Sequence, residues 1–100
     1  MRDIKNEYKE LNVTSNVTSE PLQLLGELIN LRVDVEGLKG DTTLAIKIEQ
    51  SKDGVNFVEY ATYPVPDEHH GIIFPRFFEY GRYELIVNGS KANMNVTLSF

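Results

Sequence analysis

The 100-residue chain has no cysteine, no tryptophan and no apolar run near bilayer-spanning length, and its only histidines are the adjacent pair His69 and His70. Without cysteine there are no disulfides and no thiolate metal sites. That fits a reducing compartment without excluding secretion, and one apolar core must hold the fold, for which this length suffices. The lack of a charged-then-apolar leader and of a membrane-length segment sets the expectation of a soluble chain with no membrane partner. Ten basic residues, scattered singly against fifteen acidic ones, leave a net charge of -5. Phosphate-backbone binding needs clustered positive charge, so nucleic acid is not an expected partner.

Catalytic patterns are missing too. There is no thiol nucleophile and no G-x-S-x-G elbow, and both histidines lie in a Pro-rich stretch, PVPDEHHG, expected to be an exposed connection. His69 and His70 stand beside Asp67 and Glu68, but adjacent side chains seldom converge on one ion, and a solvated loop is the simpler reading. Gly37, Gly40 and Gly54 do not form a phosphate loop, because none follows a strand and opens a helix. The expectation is a non-enzyme with no catalytic residue, metal or cofactor.

What the chain does contain is period-two alternation. In residues 44–60, LAIKIEQSKDGVNFVEY, Leu44, Ile46 and Ile48 alternate with Ala45, Lys47 and Glu49, the pattern of a half-buried strand. Ser51, Asp53 and Gly54 then suit a tight structural turn with Gly54 in the left-handed region. A three-residue loop would pair Ile48 with Val58, Ile46 with Tyr60 and Leu44 with Thr62, and would set Lys47 opposite Glu59.

Upstream, Ile4, Tyr8 and Leu11 form one thin apolar stripe in an otherwise polar segment. Residues 1–20 are therefore expected to be an N-terminal arm or extended segment, either a frayed tail or an arm that docks on a neighbouring subunit. The tandem NVTSNVTS at 12–19 suits an edge strand or an extended segment. Asn12, Asn16, Asn88 and Asn95 each begin an N-x-S/T triplet, for which ordinary backbone and strand-face roles suffice. Residues 21–100 are expected to form the domain. Within it LQLLGEL offers a short strand or a turn into the core, with helix as the second choice, 29–36 a half-buried strand, and GIIFPRFF a strand that Pro75 confines to an edge or a bulge. GRYELIVNGSKANMNVTLSF reads as a second hairpin, with Tyr83, Leu85 and Val87 on one face and Met94, Val96, Leu98 and Phe100 on the returning one. Phe74, Phe77, Phe78, Tyr80 and Tyr83 cannot all share one buried face, so some must point outward, and Tyr63 can join them. About seven short strands with hardly any helix predict an all-β, two-sheet antiparallel β-sandwich, immunoglobulin-like or jelly-roll.

The order LRVDVEG, GDTT, IKIEQSKDGVNF, GRYELIVNG and NVTLSF, over roughly residues 29–100, resembles small β-sandwich structural proteins of tailed bacteriophage virions. Many of these carry an S-x-D-G-x-x-[FW] hairpin, matched here by Ser51, Asp53, Gly54 and Phe57. Discoidin-like carbohydrate-binding sandwiches show a similar turn, with Trp where this chain has Phe57. The resemblance implies a structural role at capsid, neck or tail in a virion made in a bacterial host cytoplasm, and it carries over no catalytic residues. Its implied partners are other virion proteins and further copies in a homo-oligomer. The candidate contact residues are read from the residues themselves: Ile4, Tyr8 and Leu11 of the arm, which the resemblance does not cover, and the aromatic Tyr63, Phe77, Phe78 and Tyr80. The alternative is a carbohydrate-binding or adhesion module that stacks a glycan on Tyr63, Phe77, Phe78 or Tyr80.

The turn assignment has a direct check. Gly54→Val forces a β-branched residue to positive φ and is expected to cost about 1–3 kcal/mol. A melting temperature unchanged from wild type would contradict it.

Overall fold

The computed structural model describes residues 7–38, 42–89 and 93–100. Within them the chain forms β1 (Glu7–Val13), β2 (Val17–Thr18), β3 (Leu22–Gln23), β4 (Leu28–Glu36), β5 (Thr42–Ser51), β6 (Val58–Val65), β7 (His69–Pro75), β8 (Tyr80–Gly89) and β9 (Met94–Ser99). There is no helix among the described residues. Alternation sets the strands and their faces. In β4, Ile29, Leu31, Val33 and Val35 point inward while Asn30 and Arg32 face water, and β5, β8 and β9 follow the same rule.

The strands make two antiparallel sheets that enclose one apolar layer. One sheet has the order β1-β9-β4-β7; the other runs β2-β8-β5-β6, with β3 also pairing β8. The pairs β5–β6, β4–β7, β2/β3–β8 and β1–β9 nest inside one another like one long hairpin, and the pairings β4–β9 and β5–β8 close the roll. With β2 and β3 counted as one strand broken near Pro21, this is an eight-stranded jelly roll, which decides between the two expected sandwiches. Leu31, Val33, Ile46, Leu85, Val96 and Leu98 lie at its centre, each almost wholly buried.

Several expectations need correction. The β5–β6 hairpin pairs Leu44 with Val65, Ile46 with Tyr63 and Ile48 with Ala61, then shifts so that Glu49 faces Glu59 and Gln50 faces Val58. The three-residue loop is wrong because the turn is wider, running from Lys52 to Phe57. Lys47 accordingly pairs not with Glu59 but with Glu84 of β8, Nζ to Oε1 at 2.9 Å. The expected second hairpin does not form: β8 belongs to one sheet and β9 to the other, so their apolar faces meet across the core. Parity places both sets inward in either arrangement and is blind to the difference. His69 and His70 open strand β7 rather than lying in a loop, since they complete the register against Asp34 and Val33. Pro75 does end an edge strand.

The stretch read as an arm supplies β1 and β2 to the two sheets. Asparagine side chains tie it down: Asn16 Oδ1 accepts from Val87 N at 2.9 Å, and Asn12 N donates to Oδ1 of Asn95 in β9 at 3.1 Å. Tyr8 packs edge-on against Tyr83 and Phe100, with centroids 6.3 and 5.7 Å apart. Tyr83, buried in β8, donates its hydroxyl proton to Glu10 of β1 at 2.7 Å, tying one sheet to the other. Burial first, and then that carboxylate, push its phenol well above the ordinary range. Ile4 lies outside the described residues.

Leu98→Ala is expected to cost about 2–5 kcal/mol by opening a cavity at the centre. Leu11→Ser, on an outward position of β1, should stay within about 0.5 kcal/mol. Equal losses in denaturant melts of the two variants would overturn the assigned faces.

Candidate interaction surface

The β5–β6 turn folds on the Asp53 carboxylate. Asp53 Oδ1 accepts from the backbone N–H of Val55 and of Asn56, both at 2.9 Å, and from Ser51 Oγ at 2.7 Å, while Oδ2 accepts from Asn56 Nδ2 at 2.8 Å. These donors, led by the Asn56 and Val55 amides, hold the carboxyl far below its usual range. Ser51 Oγ accepts in turn from Asp53 N and Gly54 N. Gly54 takes a positive φ of 77° above the face of Tyr80. Phe57 closes the turn beneath the Arg82 guanidinium, which lies 4.3 Å from its ring centroid and also donates through Nε to Glu49 at 3.0 Å. The Ser51 and Asp53 side chains of the S-x-D-G-x-x-F motif are thus spent on capping their own turn.

Next to it lies Gln50, 2% exposed. Its Nε2 donates to Pro75 O at 3.0 Å, and its Oε1 accepts from Phe77 N at 2.8 Å and Phe78 N at 3.1 Å. A carboxamide offers donor and acceptor at once, which is what the loop after β7 requires. Arg76 Nε adds a bond to Gly26 O at 2.6 Å. The loop is held from both sides with the Phe77 ring turned outward, 62% exposed.

The register shift between Ile48 and Glu49 leaves Tyr60 as the extra residue of β6. A bulge re-aims its side chain. The Tyr60 ring lies 6.2 Å from buried Phe74 and 5.4 Å from Phe77, bridging the edges of the two sheets. Val58, 65% exposed, extends the surface along β6; Ile73 and Leu28, at 65% and 61%, extend it onto the outer face of β7 and β4. The side of the sandwich where edge strands β6 and β7 meet is therefore apolar and firmly held. The outer face of β5 and β8 contrasts with it, carrying the pairs Lys47–Glu84 and Arg82–Glu49.

Of the residues named from sequence, Phe77 belongs to this surface. Phe78 and Tyr80 are half-buried, and Tyr63 packs against the core. Leu11 is exposed on β1, and Tyr8 is half-buried beside Phe100. Sequence reasoning missed Tyr60, Val58, Ile73 and Leu28. The signal for the last two was present: Leu28-Ile29 and Ile72-Ile73 are apolar doublets in half-buried strands, where one member must face out. His69 Nδ1 lies 2.7 Å from Asp34 Oδ1, with Arg32 Nε 3.2 Å from the other oxygen, and these neighbours, His69 first, lower the Asp34 carboxyl. Among the described residues no three His, Asp or Glu side chains gather as metal ligands.

No family model and no curated protein sequence matches the chain. In the crystal structure of the PBSX exported protein XepA, a region is similar in fold with a TM-score of 0.62 at 13% identity, covering 97% of this chain and 35% of that one. A structure of the infectious bursal disease virus Gx strain matches with a TM-score of 0.42 at 9% identity over 30% of its chain. The chain spans about a third of the length of these proteins. The likeness to XepA establishes the sandwich fold.

Replacing Gln50 with Leu strands Pro75 O and two backbone N–H groups, and is expected to lower stability by about 2–4 kcal/mol and to release Phe77. Unchanged melting and unchanged ring contacts of Phe77 in NMR spectra would contradict this. Asp53 gives a pH test. Its folded pKa is depressed, so its contribution is complete above about pH 5 and declines as pH falls through and below the unfolded value near 3.8. The melting-temperature gap between wild type and Asp53→Ala should be widest near neutrality and narrow in acid; a constant gap would refute the assigned cause.

Proposed function

We propose that the chain is a non-enzymatic structural module of a phage virion, binding neighbouring subunits through the side where β6 and β7 meet. The observation that carries the reading is the Tyr60–Phe77 pair, an exposed aromatic anchor fixed by a buried carboxamide and flanked by Val58. Rigid, outward aromatic groups lose little entropy on association and dominate the energetics of protein interfaces. The motif Ser51, Asp53, Gly54 and Phe57 supports the virion assignment through its resemblance to phage sandwiches. Its chemistry here is turn-building, in keeping with a role without catalysis.

The carbohydrate reading draws less support. A stacking platform needs an open ring face with polar groups around it, whereas Tyr63, Phe78 and Tyr80 are half-buried and Phe77 and Tyr60 meet at 51°.

Quantitative mass spectrometry of purified phage particles from the source host tests the proposal. The chain is expected at a fixed, repeated copy number, and a folded Phe77→Asp variant is expected to lose incorporation at least tenfold. Particles devoid of the chain, or saturable glycan binding abolished by Phe77→Ala, would overturn it.

A further inference from the structure

Edge strands of soluble sandwiches carry devices that prevent pairing with another chain. β1 has Glu7, Lys9 and Glu10 and a register shift before Val13. β6 has Glu59, Pro64 and the Tyr60 bulge, and the remaining edge consists of two dipeptides. β7, HHGIIFP, has no Asp, Glu, Lys or Arg, and it runs in unbroken register against β4 from Pro75 to His69. Pro75, at its very end, is its sole device.

Hydrogen-bond phase fixes what this edge offers. Val35 N donates to Glu68 O at 2.7 Å and Arg76 N to Glu27 O at 2.9 Å, both in the β4–β7 register. Bonded pairs alternate along an antiparallel ladder, so His70, Ile72 and Phe74 exchange bonds with β4. The N–H and C=O groups of His69, Gly71 and Ile73 therefore point away from the sheet.

We propose that a second copy of the chain lays its β7 antiparallel against this one, about a two-fold axis at Gly71. This rests on the assembly reading and names its seam. In that register Gly71 faces its own counterpart and His69 faces Ile73, so three outward-pointing residues on each strand exchange bonds. Pro75, whose carbonyl is already taken by Gln50, falls outside the exchange. A chain of net charge -5 meets its copy along a strand that brings no like charges together. The seam joins two four-stranded sheets edge to edge and covers the side that carries Tyr60 and Phe77.

Gly71 provides the test, since a Cβ there meets nothing within 4 Å, its φ is not positive, and its N–H does not serve β4. Gly71→Pro should leave the fold intact while placing a ring where the second strand must bond. Light scattering over a concentration series should show wild type rising from 11.4 kDa to twice that mass, and Gly71→Pro associating at least tenfold more weakly with an unchanged melting curve at low concentration. As a second measurement, Gly71→Cys in this cysteine-free chain should be joined into a symmetric dimer by a short bis-maleimide, because opposed Cα atoms at a bonded pair lie about 5.5 Å apart. A wild type that stays monomeric, a folded Gly71→Pro that dimerises normally, or a Gly71→Cys that never cross-links would overturn the seam. Particle composition tests the assembly reading separately, so a chain present in particles but indifferent to Gly71→Pro refutes the seam alone.

Discussion

Burial of one apolar layer between two sheets is the constraint on which everything else in this molecule depends. With no disulfide and no helix among the described residues, strand pairing positions the chain, but removal of Leu31, Val33, Ile46, Leu85, Val96 and Leu98 from water supplies the driving force. Each strand must present every second residue to that layer, and the jelly-roll order lets it do so while every long inner strand has a neighbour on both sides. The edges β1, β6 and β7 are left over by this arrangement. How each is finished determines what the surface can do.

One end of the roll is finished with two kinds of polar chemistry. At the β5–β6 turn the Asp53 carboxylate gathers the donors of its own turn, and the buried Gln50 binds the loop that follows β7. Both sit at the end of β5, where Gln50 and Ser51 are consecutive buried polar residues. Such a pair interrupts apolar alternation and is tolerated because each polar atom has a partner. Their effect is to hold Tyr60 and Phe77 against one another on the outside, so the apolar side is a built feature rather than leftover core.

Much of the fold is legible in sequence because side-chain period reports burial directly. The inward sets of β4, β5, β8 and β9 follow from alternation, while the turn glycine at 54 follows from turn chemistry and the edge position of Pro75 from its missing N–H. Strand partners are another matter. Tyr83, Leu85 and Val87 face inward whether β8 pairs β9 or lies across the core from it, and only long-range packing separates the two. The Tyr60 bulge was hidden for a similar reason: the Ser51–Asp53–Asn56 network widens the turn, a side-chain effect that a two-to-four-residue hairpin rule does not contain. Of the interaction surface, Phe77 was legible only as one of five aromatics that parity cannot all turn inward, and the doublets at 28–29 and 72–73 hinted at the rest. Gln50 gave no signal, since its three partners lie 25 to 28 residues away.

Residue-resolved hydrogen exchange of the intact chain at a low and a high protein concentration tests the central claim most directly. Assembly through the β6–β7 side should slow the amides of Gly71 and Ile73 at high concentration while the outward amides of β1 exchange equally fast at both. Exchange at Gly71 and Ile73 that is indifferent to concentration, with protection arising instead along β1, would contradict the account.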